Sequence, residues 1–178
     1  YGLERGVETL TEDSTLGQGF LAQVCLDWEK AVEEGSNSIG AKSVMIRTGI
    51  VLGTQGGALA EMLPLFQRGI GGVLGDGSQY MSWIHLQDQV QMYVWAIENS
   101  AVTGVLNGTA PHPVTNQQFT NLLVEKLNYI KNIPAPKFGL KIILGEMAQV
   151  VLGSLNVIPK RPLDLGFQFQ FTSIKAAF

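Results

Sequence analysis

The chain has 178 residues, 46% of them hydrophobic and 15% charged, with a formal net charge of -3. That balance supplies a sizeable core, excludes a disordered tail and fits one domain or the larger part of one; the basic residues are scattered, which excludes a nucleic-acid surface. A single cysteine, Cys25, excludes an internal disulfide, and no paired Cys or His spacing points to zinc, so a reducing compartment fits, the cytoplasm or an organelle stroma or matrix. Nothing at the amino end resembles a signal peptide, and the chain begins with Tyr1 rather than Met, so a natural start lying upstream is expected.

Residues Tyr1 to Gly19 are polar, carry Glu4, Arg5, Glu8, Glu12 and Asp13, and show no sustained period; a loop is expected there. From Phe20, the residues Leu21, Val24, Cys25, Trp28, Ala31 and Val32 recur at helical spacing opposite Asp27, Glu29, Lys30, Glu33 and Glu34. This predicts an amphipathic helix stopped at Gly35, with Cys25 a buried structural thiol on its apolar stripe. Val44 to Ile46 is a compact apolar run of the kind a buried parallel strand shows. Leu59, Met62, Leu63 and Phe66 then repeat at helical spacing up to Gly69, and the alternation argues for a layered α/β fold.

The central stretch runs from the turn Gly75-Asp76-Gly77-Ser78 through Tyr80 to Asp88. Its first half alternates like a short strand, and Asp88 is placed to cap the helix that follows, so a strand hands directly to a helix. Val90, Val94 and Ile97 mark the expected apolar side of that helix. Such junctions collect ligands in open α/β sheets, because loops at the carboxyl ends of strands meet amide-rich helix starts there. Val105-Leu106 predicts another strand, ended by Asn107-Gly108. Thr115 and Gln118 form a capping box, Val114 and Phe119 its hydrophobic staple, and Phe119, Leu122, Leu123 and Leu127 the buried stripe of the next helix.

Pro134 and Pro136 separate a second portion: an apolar helix from Phe138 to Leu152, the segment Pro159-Lys160-Arg161-Pro162, the alternating run Phe167 to Phe171 and a helical start at Thr172. The Phe138 to Leu152 segment contains Lys141, Glu146 and Gln149 and falls short of the roughly 20 uninterrupted apolar residues a membrane span needs. A division into 1–133 and 134–178 is expected, the two packing as one body.

Several motifs in combination resemble the extended short-chain dehydrogenase/reductases. They are Tyr1-Gly2, Arg47-Thr48-Gly49-Ile50-Val51-Leu52-Gly53, Pro64-Leu65-Phe66, Gly69-Ile70-Gly71-Gly72, Gly75-Asp76-Gly77 with Gln79, Trp83-Ile84-His85 followed by Asp88, and Pro159-Lys160-Arg161. Over essentially the whole chain they are similar to the NAD-dependent epimerase/dehydratase-like branch, also labelled cell-division inhibitors. The resemblance implies the carboxyl-terminal part of a Rossmann-like doubly wound parallel sheet with a small α-rich substrate-binding portion, and NADP or NAD as cofactor. No glycine-rich dinucleotide turn is present: Gly49, Gly53, Gly56 and Gly57 have the wrong spacing and read as turn and packing glycines. By resemblance that turn and the family's active-site serine belong upstream of Tyr1.

The resemblance implies that Arg47, Thr48, Gly49, Ile50 and Val51 neighbour the cofactor, with internal pairing of Arg47 an alternative. It also implies that Gln79, Ser82, Trp83, His85, Lys160 and Arg161 shape a pocket for a small, nucleotide-linked substrate. Met81 stands where relatives commonly carry a basic residue. The family's tyrosine and lysine, spaced by four, fall on Phe20 and Val24, neither of which has a transferable proton. Tyr1, Tyr80, His85 and Cys25 are the available substitutes, with Cys25 read as structural and Tyr1 and His85 as weak catalytic candidates. His85 with Asp88 is thin as a metal site and reads better as a hydrogen-bonded pair fixing the junction; His112, between Pro111 and Pro113, reads as a loop residue. Two readings stay open: an NAD(P)-dependent oxidoreductase or epimerase, and a non-catalytic NADP(H)-binding regulatory protein. A homodimer is open through a sheet edge left without a partner.

Overall fold

The computed structural model describes residues 1–69, 71–128 and 152–178. Its elements are β1 (Glu4–Leu10), α1 (Phe20–Ser38), β2 (Val44–Thr48), β3 (Ile50–Leu52), α2 (Gly57–Gln67), β4 (Tyr80–Met81), β5 (Trp83–His85), α3 (Leu86–Glu98), β6 (Gly104–Gly108), β7 (Val114–Thr115), α4 (Asn116–Lys126), β8 (Ser154–Val157), α5 (Lys160–Asp164) and α6 (Ile174–Ala177). The expected apolar helix from Phe138 and the boundary at 133/134 lie outside the described residues.

The centre is one extended run that changes partner halfway. β2 pairs in parallel with β6, from Val44 with Gly104 to Thr48 with Gly108, and β3 then pairs in parallel with β5, Ile50 with Trp83 to Leu52 with His85. The step falls at Gly49, whose amide donates to the Gly108 carbonyl while the Ile50 amide donates to that of Ser82. A Cβ at Gly49 would lie 2.5 Å from the Ser82 carbonyl oxygen and 2.9 Å from Thr109 Cγ2, so only glycine lets the backbones pass this closely. β4 pairs antiparallel with β7, and β8 joins β1 in parallel. The main core gathers Leu52, Leu59, Phe66, Trp83, Ala110, Phe119, Leu123 and Ile174; a second cluster unites Ile84, Met92 and Phe167.

The β4–β5–α3 passage and the capping box are as the sequence predicts, and the strand at Val105-Leu106 is present but runs on through Asn107-Gly108, the residues expected to end it. The Thr115 hydroxyl accepts from the Gln118 amide, and the Gln118 side chain accepts from the Thr115 amide. Four local expectations are corrected. Glu4–Leu10 is a strand, not loop: most of its side chains face solvent, so no apolar alternation marks it, and pairing with β8 defines it. α1 passes through Gly35 and ends at Ser38, because Gly40, at φ 66, takes the left-handed position at which the helix ends. Cys25 is exposed rather than buried. The stripes of α1 and α3 also face outward: α1 buries no residue, and Val90, Val94 and Ile97 are exposed while α3 buries Asp88, Gln89 and Met92. No described helix is long and apolar enough to cross a membrane.

Candidate functional site

The carboxyl ends of β2 and β6 place Arg47 beside Asn107 and Thr48 beside Gly108. Because side chains alternate along a strand, Arg47 and Thr48 leave opposite faces. Arg47 is committed on its face: Nε donates to Glu29 Oε1 at 2.6 Å, Nη2 to Glu29 Oε2 at 2.7 Å, and the guanidinium lies 4.8 Å from the centre of the Tyr1 ring. A bidentate carboxylate and an aromatic face are what a guanidinium is shaped for, and the hydrogen bonds to Glu29 raise its pKa further. The internal pairing weighed for Arg47 is therefore the arrangement found.

Tyr1 belongs to the same cluster. Its hydroxyl donates to Asn107 Oδ1 at 2.6 Å, and burial raises the phenol's pKa against the opposing pull of Arg47. Asn107, fully buried, donates through Nδ2 to the Ile158 carbonyl and through its backbone amide to Glu12 Oε1, while Glu12 Oε2 accepts from the Arg161 amide. The cluster therefore knits β6, the first residues of the chain and α5 into one network. Asn107 and Glu12 were missed from sequence because Asn-Gly reads as a strand end and Glu12 sits in an aperiodic stretch; neither carries a local signal.

The opposite face is less spent. Thr48 is exposed, its hydroxyl 3.4 Å from the Ile46 carbonyl, and beneath it the Gln89 side chain is 5% exposed. Gln89 Nε2 reaches Thr48 Oγ1 only at 3.5 Å, and Gln89 Oε1 is buried with no hydrogen-bond partner. A buried amide oxygen without a donor costs free energy, about 1–3 kcal/mol, so unused polar capacity remains here, as it does on the other face at Arg47 Nη1, which is also buried without a partner. Val51 is half-buried on the second cluster with Ile46, Ile84 and Met92, while Ile50, also half-buried, packs on the main core.

At the β5–α3 junction the expected roles are exchanged. His85, not Asp88, caps α3: its Nδ1 accepts from the Gln87 amide at 3.2 Å. Asp88, fully buried in the first turn, accepts instead from the amides of Gln170 and Phe171 at 2.9 and 3.0 Å. Asp88, the third residue of α3, turns its carboxylate to the returning carboxyl-terminal chain rather than to its own helix start. Phe171 then stacks on the His85 ring, centroids 3.7 Å apart.

The other expected substrate residues form a frame. Ser82 Oγ donates to the Leu155 carbonyl and accepts from the Val157 amide, tying β5 to β8. Trp83 is fully buried, its indole N–H donating to the His112 carbonyl, and Gln79 Nε2 donates to the Leu74 carbonyl. Arg161 holds the carbonyls of Val105 and Thr103. Lys160 is exposed and paired with Asp164. The structure thus brings Arg47 and Tyr1 to the carboxyl end of β6, places the Arg161 guanidinium at its amino end, and sets Thr48, Gly49, Ile50 and Val51 along the strand step that leads to His85. Two open grooves lie elsewhere: about 440 Å³ at the amino end of β2, lined by Lys42, Val44, Ile46, Tyr93 and Ile97, and about 410 Å³ beside the first turns of α3, lined by Leu86, Gln87, Val90, Gln91 and Gln170. Neither is lined by the expected site residues.

Comparison with known proteins agrees with this layout. Over 178 residues the chain is 42% identical to the chloroplastic epimerase family protein SDR39U1 homolog of Arabidopsis thaliana, covering 99% of this chain and 50% of that protein. Over nearly its whole length it is similar to epimerase family proteins. The fold superposes on human epimerase family protein SDR39U1 (isoform 2), solved with NADPH, with a TM-score of 0.92 at 34% identity, covering 99% of this chain and 60% of that one. A nucleoside-diphosphate sugar epimerase from Corynebacterium glutamicum matches with a TM-score of 0.80 at 35% identity, covering 99% of this chain and 34% of that one. Residues 135–178 match the model of a domain of unknown function, DUF1731. The epimerase-like Rossmann architecture is therefore established, and the chain spans about half the length of the curated relatives it matches.

Proposed function

We propose that this chain is the carboxyl-terminal half of an NAD(P)-dependent, epimerase/dehydratase-like oxidoreductase acting on a small or nucleotide-linked substrate, with 134–178 as a small helical domain. The observation that carries the reading is the strand end itself: an exposed Thr48 above an unpaired buried Gln89 oxygen, on a fold matching a relative solved with NADPH. Thr48, Ile50 and Val51 fit the uncharged end of such a cofactor, with Gly49 setting the strand step and Arg47 bracing it from behind. When bound, the cofactor supplies hydride exchange. His85 stands on the substrate side, and Gln79, Ser82, Trp83, Lys160 and Arg161 hold the segments around it.

The proton-transfer partner is where this chain departs from the pattern. Phe20 and Val24 cannot exchange a proton, and Phe20 is 80% exposed on α1. Tyr1 has its phenol bound to Asn107 and its pKa raised by burial, the opposite of what a base needs near neutral pH. This favours a second reading, a protein that binds NADP(H) and regulates without turning over substrate. A full-length form titrated with NADPH and NADH should show a saturable change in tryptophan fluorescence with one of them; no change with either overturns both readings. Hydride transfer or epimerisation across a panel of nucleotide sugars then selects the enzyme, and binding without turnover selects the regulator.

A further inference from the structure

β2 and β6 form a parallel pair whose two outer edges are finished differently. In a parallel ladder the amide and carbonyl of one residue point to one side and those of the next residue to the other. The Gly104 amide donates to the Ser43 carbonyl and the Gly49 amide to that of Gly108. Gly104, Leu106 and Gly108 therefore turn toward β2, while Thr103, Val105 and Asn107 turn to the outer edge of β6. That edge is closed by side chains: the Arg161 guanidinium donates to the carbonyls of Thr103 and Val105, and Glu12 Oε1 accepts from the Asn107 amide.

The same alternation turns the amides and carbonyls of Val44, Ile46 and Thr48 to the outer edge of β2. Among the described residues only the Thr48 hydroxyl meets these groups, 3.4 Å from the Ile46 carbonyl. Ile50, next in the alternation, donates to the Ser82 carbonyl, so β5 takes this side beyond Gly49 and the bare stretch is Val44 to Thr48. Val44-Met45-Ile46 is the continuous apolar run of a strand covered on both faces, yet each of these residues is only half-buried. Beside them lies the open groove of about 440 Å³ between Val44 and Ile46 of β2 and Tyr93 and Ile97 of α3, with Ile97 83% exposed.

We propose that a further strand, from the part of the full-length protein preceding Tyr1, pairs in parallel with this bare edge. The relatives have the length to supply it, since the chain covers 50% of the Arabidopsis protein and 60% of the human one. The direction follows from the position of Tyr1. Its hydroxyl and ring sit on Asn107 and Arg47, at the carboxyl ends of β6 and β2, and α1 lies between Tyr1 and β2 in the chain. A strand that ends there and is followed by a helix and then β2 makes a crossover, the connection that joins parallel strands. Its backbone meets the groups that β2 leaves bare, and its side chains on the α3 side enter the groove. The pairing needs no ligand, so it stands or falls apart from the cofactor reading.

The test follows amide exchange in the full-length protein, residue by residue, on nitrogen-15 spectra. Met45 and Arg47 turn toward β6 and serve as internal standards. Val44, Ile46 and Thr48 should exchange within about tenfold of them; a larger gap, alternating along the strand, overturns the proposal. Nuclear Overhauser contacts from Val44, Ile46 and Thr48 should reach residues preceding Tyr1, in rising order along that segment. Falling order overturns the parallel direction, and contacts to residues after Tyr1 overturn the occupant. Protection should be unchanged on roughly hundredfold dilution; its loss would give the edge to a second copy and overturn the proposal.

Discussion

α4 and α1 are both amphipathic by sequence, and they meet opposite fates. α4 carries a capping box at its start and turns Phe119 and Leu123 into the main core. α1 is longer, 19 residues against 11, yet leaves Phe20 80% and Trp28 69% exposed and touches the described fold chiefly through the Glu29–Arg47 ion pair. α3 falls between: it buries Met92 and a polar pair, Asp88 and Gln89, and turns Val90, Val94 and Ile97 outward. An apolar stripe states which face of a helix seeks a partner; the rest of the fold decides whether one is there. In the described structure β2 pairs with β6 alone, and the relatives are about twice as long as this chain.

The contrast can be broken by mutation. Phe119→Ala removes a fully buried ring from the main core and should cost about 4 kcal/mol in urea unfolding; a loss under about 1 kcal/mol would mean that α4 is not anchored as described. Next comes Asp88→Ala, which strands the amides of Gln170 and Phe171. It should cost roughly 3 kcal/mol and speed proteolysis of the segment after Phe167. Cleavage unchanged from wild type would show that the clamp does not hold that segment. Smallest in stability is the paired change Phe20→Glu with Trp28→Glu, within about 0.5 kcal/mol for the 178-residue chain. The same change should shift that chain from self-associated species toward monomer in light scattering, since large exposed apolar patches drive association. A clean wild-type monomer would contradict this, and would also count against the homodimer left open by the unpaired edge of β2.

Much of the fold was legible because its signals are local. The capping box at Thr115 and Gln118, the strand-to-helix passage at His85 and the apolar run at Val44 to Ile46 each lie within a few residues, and structure follows them closely. β1 was illegible because its strand character comes from β8, with Glu4 paired to Ser154 across the length of the chain. The site divides in the same way. Its neighbourhood follows from the motif run at Arg47 and the junction at Asp88. Which atoms are spent and which are free does not: Glu29 takes Nε and Nη2 of Arg47 and leaves Nη1 unpaired, Asn107 takes the Tyr1 hydroxyl and β8 takes Ser82, and each partner comes from a distant segment.

The sequence by itself determined the class of fold, the strand-then-helix order around Trp83 to Asp88 and the likeness to epimerase family proteins, because these follow from residue type and short spacing. Only the tertiary structure decided that His85 rather than Asp88 caps α3, that Asp88 instead grips the carboxyl-terminal segment, and that Gln89 keeps an unpaired oxygen under Thr48. Hydrogen-bond partners are chosen by which groups the fold brings within about 3 Å, and a linear pattern does not encode that distance.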